Sequence, residues 1–149
     1  MFKLSRIVNG RINTSEPHDI TLTTVGGLAA DVPAFVPVVI HNGGLAVVTA
    51  TTTSVATHIL CKPGKAGDTK VWAIDITPDM VFECPLTADL QGENPVGAYT
   101  EVAITSDGTA GTVPAAVESG KPANRGAILY DTIPAKSKSG EKVFVFFKD

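Results

Sequence analysis

The stretch VWAIDITPDMVFECPL, residues 71–86, combines the only tryptophan of the chain with three acidic side chains and one of its two cysteines. Its two ends are rich in β-branched and aromatic residues, and the segment TPDM between them has the proline and aspartate of a turn. The stretch therefore predicts two strands joined by a corner. We expect Trp72 and Phe82, the large side chains of these strands, to anchor the core.

The acidic side chains of this stretch raise the alternative of a metal or catalytic site. Asp75, Asp79 and Glu83 are spaced by four residues, which would align them on a helix. On strands the same spacing separates them, because Asp79 lies in the turn and the other two belong to different strands. We therefore expect no converging carboxylate pair. For Trp72, a sugar-binding platform is the functional alternative to a core position.

Outward from this stretch, the chain contains about ten short runs with strand composition, separated by clusters of turn residues. One such cluster is HNGG, in which Asn42 and Gly43 suit the positive φ angles of a tight hairpin. This spacing is typical of a mainly β protein and predicts a small antiparallel β-barrel or sandwich. The sequence shows no repeat at the periods typical of solenoid proteins.

The run KVFVFF, residues 142–147, is apolar on both faces of its predicted strand. Val143, Val145 and Phe147 alternate with Phe144 and Phe146, so the two sets point to opposite sides. One set fits a core, and the other needs a covering surface. We expect Phe144 and Phe146 to form an interface with another subunit or a partner.

Composition excludes several classes of function. With 149 residues, 44% of them hydrophobic and 18% charged, the chain suits one domain with a core. No window resembles a membrane span, and charges interrupt the apolar runs near the N-terminus, so we expect neither a membrane partner nor a signal peptide. The histidines lack metal-ligand spacing, and no nucleotide-binding motif occurs. We expect no catalytic residues, no metal and no cofactor.

The charged residues are unevenly distributed. Residues 1–13 carry three basic side chains, Lys3, Arg6 and Arg11, and no acidic one, although the whole chain has a net charge of −3. We expect residues 1–13 to form an extended N-terminal arm suited to an acidic surface, ahead of a β domain over residues 14–149. An ordinary first strand is the alternative. Nucleic acid is not expected as a partner, because no basic stripe extends along the chain.

The order of several segments resembles that of capsid decoration proteins of tailed bacteriophages, also called cement or head auxiliary proteins. The segments are ATHILC, KVWAIDITPDMVFECPL, GAYTEVAITSDGTAGTV, GAILYDT and GEKVFVFFK, and the resemblance runs from about residue 57 to residue 148. The resemblance implies a non-enzymatic virion protein, made in the host cytoplasm, that binds the outer surface of an icosahedral shell. Its partner would be a major capsid protein of the HK97 type, and its work would be to stabilise capsomer junctions.

The resemblance also implies which residues contact the capsid. Family members grip capsid subunits with an extended N-terminal segment and often self-associate. Carried over to this chain, the capsid-contacting residues are Phe2, Lys3, Leu4, Arg6, Ile7 and Arg11. The long segment over residues 32–53 departs from the simplest family members, and it is either part of the barrel or a contact element.

Two other functions fit a β domain without a catalytic signature. One is a different structural part of a virion, such as a tail-tube or head–tail joining protein, which forms rings by sheet augmentation. The other is a carbohydrate-binding module.

Overall fold

The structure, a computed structural model, describes residues 2–7, 16–49, 54–104, 110–112, 116–118, 121–122 and 127–147. These residues form strands, turns and bends, and they contain no helix. The strands of these ranges are β1 (Lys3–Ile7), β2 (His18–Thr21), β3 (Pro37–His41), β4 (Gly44–Val47), β5 (His58–Leu60), β6 (Lys70–Asp75), β7 (Met80–Pro85), β8 (Ala103–Ile104), β9 (Ala110–Thr112), β10 (Ala116–Glu118), β11 (Lys121–Pro122), β12 (Ala127–Leu129) and β13 (Lys142–Phe147).

The strands build two main antiparallel sheets. A four-stranded sheet has the order β1-β7-β13-β12, and a five-stranded sheet has the order β2-β6-β5-β3-β4. Two short pairs, β8-β9 and β10-β11, accompany them. The main sheets do not close on each other, so the prediction of a mainly β fold is confirmed in its sandwich form and not as a barrel.

The stretch that decides the fold connects the two sheets. Strand β6 lies in the five-stranded sheet and β7 in the four-stranded sheet, so the predicted corner at residues 76–79 leads from one to the other. The corner is closed by a hydrogen bond from the Met80 N–H to the Thr77 carbonyl, at 3.1 Å, and by one from the Thr77 hydroxyl to the Asp79 carboxylate. Asp79 thus has the turn role that its position predicts.

The long segment over residues 32–53 is part of the sandwich where the structure describes it. Strands β3 and β4 form a hairpin in the five-stranded sheet. Asn42 and Gly43 have φ angles of 49° and 75°, as the HNGG turn predicts. Glycine suits position 43, because φ is positive there and a Cβ would lie 1.8 Å from the Thr23 hydroxyl oxygen.

Two apolar cores lie on opposite faces of the five-stranded sheet. Ile59 and Ile74, which pair across β5 and β6, face the main core between the sheets. Leu60 and Ala73, the next pair, face a second core beneath the loops that follow β2 and β5. Alternation along the strands therefore covers both faces of this sheet. The second core consists of Leu22, Leu28, Val32, Val36, Val38, Leu60, Val71 and Ala73.

The two predicted core anchors lie in different environments. Phe82 is 1% exposed in the main core, and its ring lies 5.8 Å from that of Phe147 in an edge-to-face arrangement. Trp72, in contrast, is half-buried and belongs to neither core, which corrects its expected position. Its neighbour on the edge strand β2 is the exposed Asp19, and the Lys62 ammonium lies 5.1 Å from its ring centroid. Because Trp72 lies beside the edge strand β2, it is at the margin of the sheet and not in a core.

The described part of the expected N-terminal arm is a strand of the sandwich. Strand β1 pairs with β7 along the edge of the four-stranded sheet. Phe2 is 1% exposed, and its ring lies 6.0 Å from that of Phe147, so it packs in the main core. Residues 1 and 8–13 of the expected arm, among them Arg11, lie outside the described residues.

The sandwich contains an internal repeat. In the first half, β2 to β6, the strand order is β2-β6-β5-β3-β4. In the second half, β7 to β13, the order β7-β13-β12 continues to β8 and β9, because Val102 donates a hydrogen bond to the Ala127 carbonyl and Glu101 bridges to Ile128. Apart from the β10-β11 pair, which follows β9 in the chain, the two halves therefore have the same strand order.

Matching hydrogen bonds confirm the correspondence of the halves. Val32 and Gly64 exchange two backbone hydrogen bonds of 2.9 and 2.8 Å, and Val96 and Ile133 exchange two of 3.0 and 2.9 Å. Each pair joins the loop after the first strand of its half to the loop between the last two strands. The same loop closure occurs twice.

Phe35 and Tyr99 occupy corresponding positions in the two halves of the repeat. Both have left-handed backbones, with φ angles of 61° and 66°. Their N–H groups donate to the carbonyls of Leu60 and Leu129, at 2.7 and 2.8 Å. The sequence retains traces of the repeat, VPAF against VGAY and HILC against AILY. These traces are too short to be recognised without the structure.

We predict that Phe2→Ala lowers the free energy of unfolding by about 3 kcal/mol, the range for deleting a buried phenylalanine ring. Chemical denaturation monitored by circular dichroism measures this change. Val25→Ala, at a side chain that is 99% exposed, is the control and should change stability by less than about 0.5 kcal/mol. A Phe2→Ala effect as small as that of the control would mean that the N-terminal segment is not part of the core.

Candidate interaction surface

The outer face of the four-stranded sheet carries a cluster of aromatic side chains. In β13, Val143, Val145 and Phe147 face the main core, so Phe144 and Phe146 face outward as the sequence predicts. We call this face the aromatic surface, and it consists of Tyr99, Ile128, Tyr130, Phe144 and Phe146.

Phe146 lies at the centre of the aromatic surface. Its ring centroid lies 6.3 Å from that of Tyr99 and 6.4 Å from that of Tyr130, and both pairs are edge-to-face. Such pairs are favourable beyond their buried area. Ile128, opposite Phe146 across β12 and β13, is 8% exposed. The surface is therefore a packed and ordered patch.

Tyr99 is the most exposed aromatic side chain of the patch. It is 73% exposed, yet its backbone is fixed by the hydrogen bond to Leu129 and by its left-handed conformation. A non-glycine residue with positive φ costs free energy, and such residues cluster at binding sites. The role of Tyr99 was not predicted from the sequence. The signal that could have found it is the recurrence of V-x-A-aromatic at residues 32–35 and 96–99.

The residues expected to contact a capsid lie on or near β1, with one outside the described range. Lys3 pairs with Glu83 and is exposed, whereas Leu4 pairs with Phe82 and is 44% exposed. Arg6 and Ile7 continue the strand after a bulge. Because β1 is an edge strand of its sheet, one side of its backbone can accept a further strand.

An apolar cleft opens between the sheets beside β1. Leu4 and Phe35, at 44% and 38% exposure, form its mouth. Its walls come from both sheets, and its volume is about 230 Å³. The cleft is lined by Phe2, Lys3, Leu4, Phe35, Ile59, Cys61, Ile74 and Phe82. The N-terminal strand therefore borders an exposed apolar site.

Polar side chains converge at one end of the five-stranded sheet, at His18, His58 and Asp75, which we call the polar corner. The Nε2 atoms of His58 and His18 lie 2.9 and 3.7 Å from the same oxygen of Asp75. His58 Nδ1 lies 2.7 Å from the Thr57 hydroxyl, and His18 Nδ1 lies 3.1 Å from the Glu16 carbonyl. His18 and Asp75 are about half exposed, at 49% and 52%.

Together with the adjacent Thr57, the polar corner has a hydroxyl, an imidazole and a carboxylate in the order of a hydrolase triad. The Thr57 hydroxyl oxygen, however, accepts the Ile40 N–H at 2.9 Å and is partly buried. An oxygen held in this way joins β3 to β5, and is not presented to a substrate. Among the described residues, no three His, Cys, Asp or Glu side chains are arranged to hold a metal ion.

Burial makes both thiols of the chain less reactive. Burial raises the pKa of Cys84 to about 12. Burial also raises the pKa of Cys61. A protonated thiol is a poor nucleophile at neutral pH. In the described part of the chain, no helix is long and apolar enough to span a membrane.

The pKa of His58 predicts a dependence of stability on pH. Burial lowers this pKa, and the nearby Asp75 carboxylate opposes the effect only in part. The unfolded chain therefore binds the proton first as the pH falls, so the free energy of unfolding decreases from about pH 7 downward until His58 is protonated in the folded state as well.

We expect His58→Gln to show a shallower decrease than the wild type between about pH 7 and pH 5. The measurement is denaturant unfolding at a series of pH values. His41→Gln, at an exposed histidine, is the matched control and should keep the wild-type profile. Identical profiles for His58→Gln and the wild type would contradict the assigned burial of this imidazole.

Comparisons of the sequence with protein-family models and with curated proteins found no match.

Proposed function

We propose that this chain is a non-enzymatic structural protein of a bacteriophage virion, which binds the outer surface of an icosahedral capsid and stabilises the junctions between capsomers. The observation that carries the proposal is the exposure of apolar side chains on two separate margins of one small sandwich, at the aromatic surface and at the cleft beside β1. Surfaces of this kind suit a protein that contacts several neighbours at once.

The resemblance in sequence supports the same function. The segments that resemble capsid decoration proteins include β5, β6, β7, β12 and β13, which carry most of the buried residues of the main core. A resemblance in core and turn residues concerns the scaffold more than a catalytic site, and a protein that acts as a clamp needs a rigid scaffold. The partner in this proposal is the major capsid protein, and the place of action is the outer surface of the virion.

Strand β1 is the element that we assign to the capsid contact. Lys3 is exposed, and Leu4 lies at the mouth of the apolar cleft. An apolar side chain from the shell fits a cleft of about 230 Å³, while the basic residues near the N-terminus suit an acidic rim. Phe2 supports this contact from the core, through its backbone hydrogen bond to the Phe35 carbonyl at 2.9 Å.

We predict that Leu4→Glu weakens binding to expanded, DNA-free heads of the capsid protein encoded in the same genome by at least about tenfold. The reason is that a carboxylate at the cleft mouth opposes apolar burial, and tenfold corresponds to about 1.4 kcal/mol. Co-sedimentation with the heads measures occupancy, and circular dichroism checks that the variant is folded.

Val25→Glu is the matched control, because it introduces the same charge at a side chain that is 99% exposed in the loop between β2 and β3. This control should bind like the wild type. Failure of the wild-type protein to bind any head would overturn the proposed function. Normal occupancy by Leu4→Glu would overturn the assignment of the contact to β1.

A further inference from the structure

The two halves of the sandwich contact each other through unlike surfaces. The first half contributes the face of the five-stranded sheet that carries Ile59 and Ile74, together with Phe35. The second half contributes the inner face of the four-stranded sheet, including Phe82 and Phe147. A contact between equivalent units through different surfaces is heterologous, and it leaves one surface of each kind unused.

The internal repeat identifies the unused copy of the first surface. Ile59 and Ile74 pair across β5 and β6, just as Ile128 and Phe146 pair across β12 and β13. Phe35 corresponds to Tyr99 by the matching backbone hydrogen bonds and φ angles. The equivalent of the contact face of the first half is therefore the aromatic surface of the second half.

The repeat also identifies the unused copy of the second surface. Phe82 pairs with Val145, as His18 pairs with Ala73 at the equivalent register. His18 in the first half therefore occupies the position that Phe82 has in the second half.

The other members of the polar corner follow from the same register. Phe147 pairs with Ala127, as Asp75 pairs with His58. The polar corner of the first half therefore occupies the position of the buried Phe82–Phe147 corner of the second.

The two unused surfaces are more polar than the surfaces that meet between the halves, and the changes on one complement the changes on the other. Inside the chain, two isoleucines and, at the mouth of the cleft, Phe35 face phenylalanines, and the contact is apolar. On the unused surfaces, Phe35 is replaced by Tyr99, and the phenylalanines are replaced by His18 and Asp75. A phenol is amphipathic, so its ring covers apolar area while its hydroxyl bonds a polar partner. An aromatic surface ending in a hydroxyl thus complements a corner with imidazole and carboxylate groups.

We propose that the aromatic surface of one copy of this chain binds the polar corner of a second copy, head to tail. In this contact the Tyr99 hydroxyl donates to the Asp75 carboxylate of the second copy, and its ring packs against His18 of the second copy. Tyr99 is 73% exposed and the two corner side chains are about half exposed, so both surfaces are accessible. Because the contact is heterologous, copies associate into chains or closed rings and not only into symmetric dimers.

The inference is tested without capsids, so its result is independent of the proposed function. Sedimentation velocity of the wild-type protein over a range of concentrations should show association beyond a dimer. Tyr99→Ala and Asp75→Ala should each weaken association by at least about tenfold, since each removes one of the two surfaces. Val25→Ala is the control for an exposed apolar side chain outside both surfaces and should associate like the wild type.

The decisive experiment is to mix the Tyr99→Ala and Asp75→Ala variants. Tyr99→Ala retains an intact polar corner, and Asp75→Ala retains an intact aromatic surface, so an equal mixture should form a heterodimer that neither variant forms alone. Formation of this heterodimer also shows that both variants are folded. A wild-type protein that remains monomeric, or association that is lost in Tyr99→Ala but unchanged in Asp75→Ala, would overturn the head-to-tail contact.

Discussion

The central strands of the five-stranded sheet are apolar on both faces, and the rest of the structure follows from the need to cover both. Ile59 and Leu60 are neighbours in sequence, point to opposite faces, and are 2% and 0% exposed. The loops after β2 and β5 cover one face, and the four-stranded sheet covers the other. The corner after β6 makes this possible, because it carries the chain from one sheet to the other within four residues, 76–79.

The same constraint acts on the second half with a different outcome. Val145 is fully buried in the main core, and its neighbour Phe146 lies on the outer face among aromatic rings. In the first half the equivalent outer face is covered by the second half. In the second half it presents Tyr99 to solvent. The two halves therefore have similar backbones but differ in what covers the outer face of their sheets. We place the proposed self-association at the aromatic surface of the second half.

Alternation and turn chemistry made the mainly β fold, the corner and the core position of Phe82 predictable from the sequence. The margin position of Trp72 was not predictable, because it depends on pairing with the edge strand β2, which is distant in sequence. The core position of Phe2 was not predictable, because a basic segment is equally suited to an arm and to an edge strand. The outward position of Phe146 was predicted from alternation along its strand. The position of Tyr99 was not predicted, because its loop meets the strand of Phe146 only in the tertiary structure.

Charge and burial decide between the polar corner as a reactive site and as a surface for recognition. The adjacent Thr57 hydroxyl is held by the backbone of β3, and the Asp75 carboxylate is half exposed. These features favour recognition of another surface. They agree with the internal repeat, in which the polar corner and the aromatic surface are the two halves of the unused contact. Electron cryo-microscopy of expanded heads saturated with the protein tests this account most directly. The account predicts β1 against the shell and Tyr99 of each copy against Asp75 of its neighbour. Bound copies with Tyr99 facing solvent and β1 directed away from the shell would contradict it.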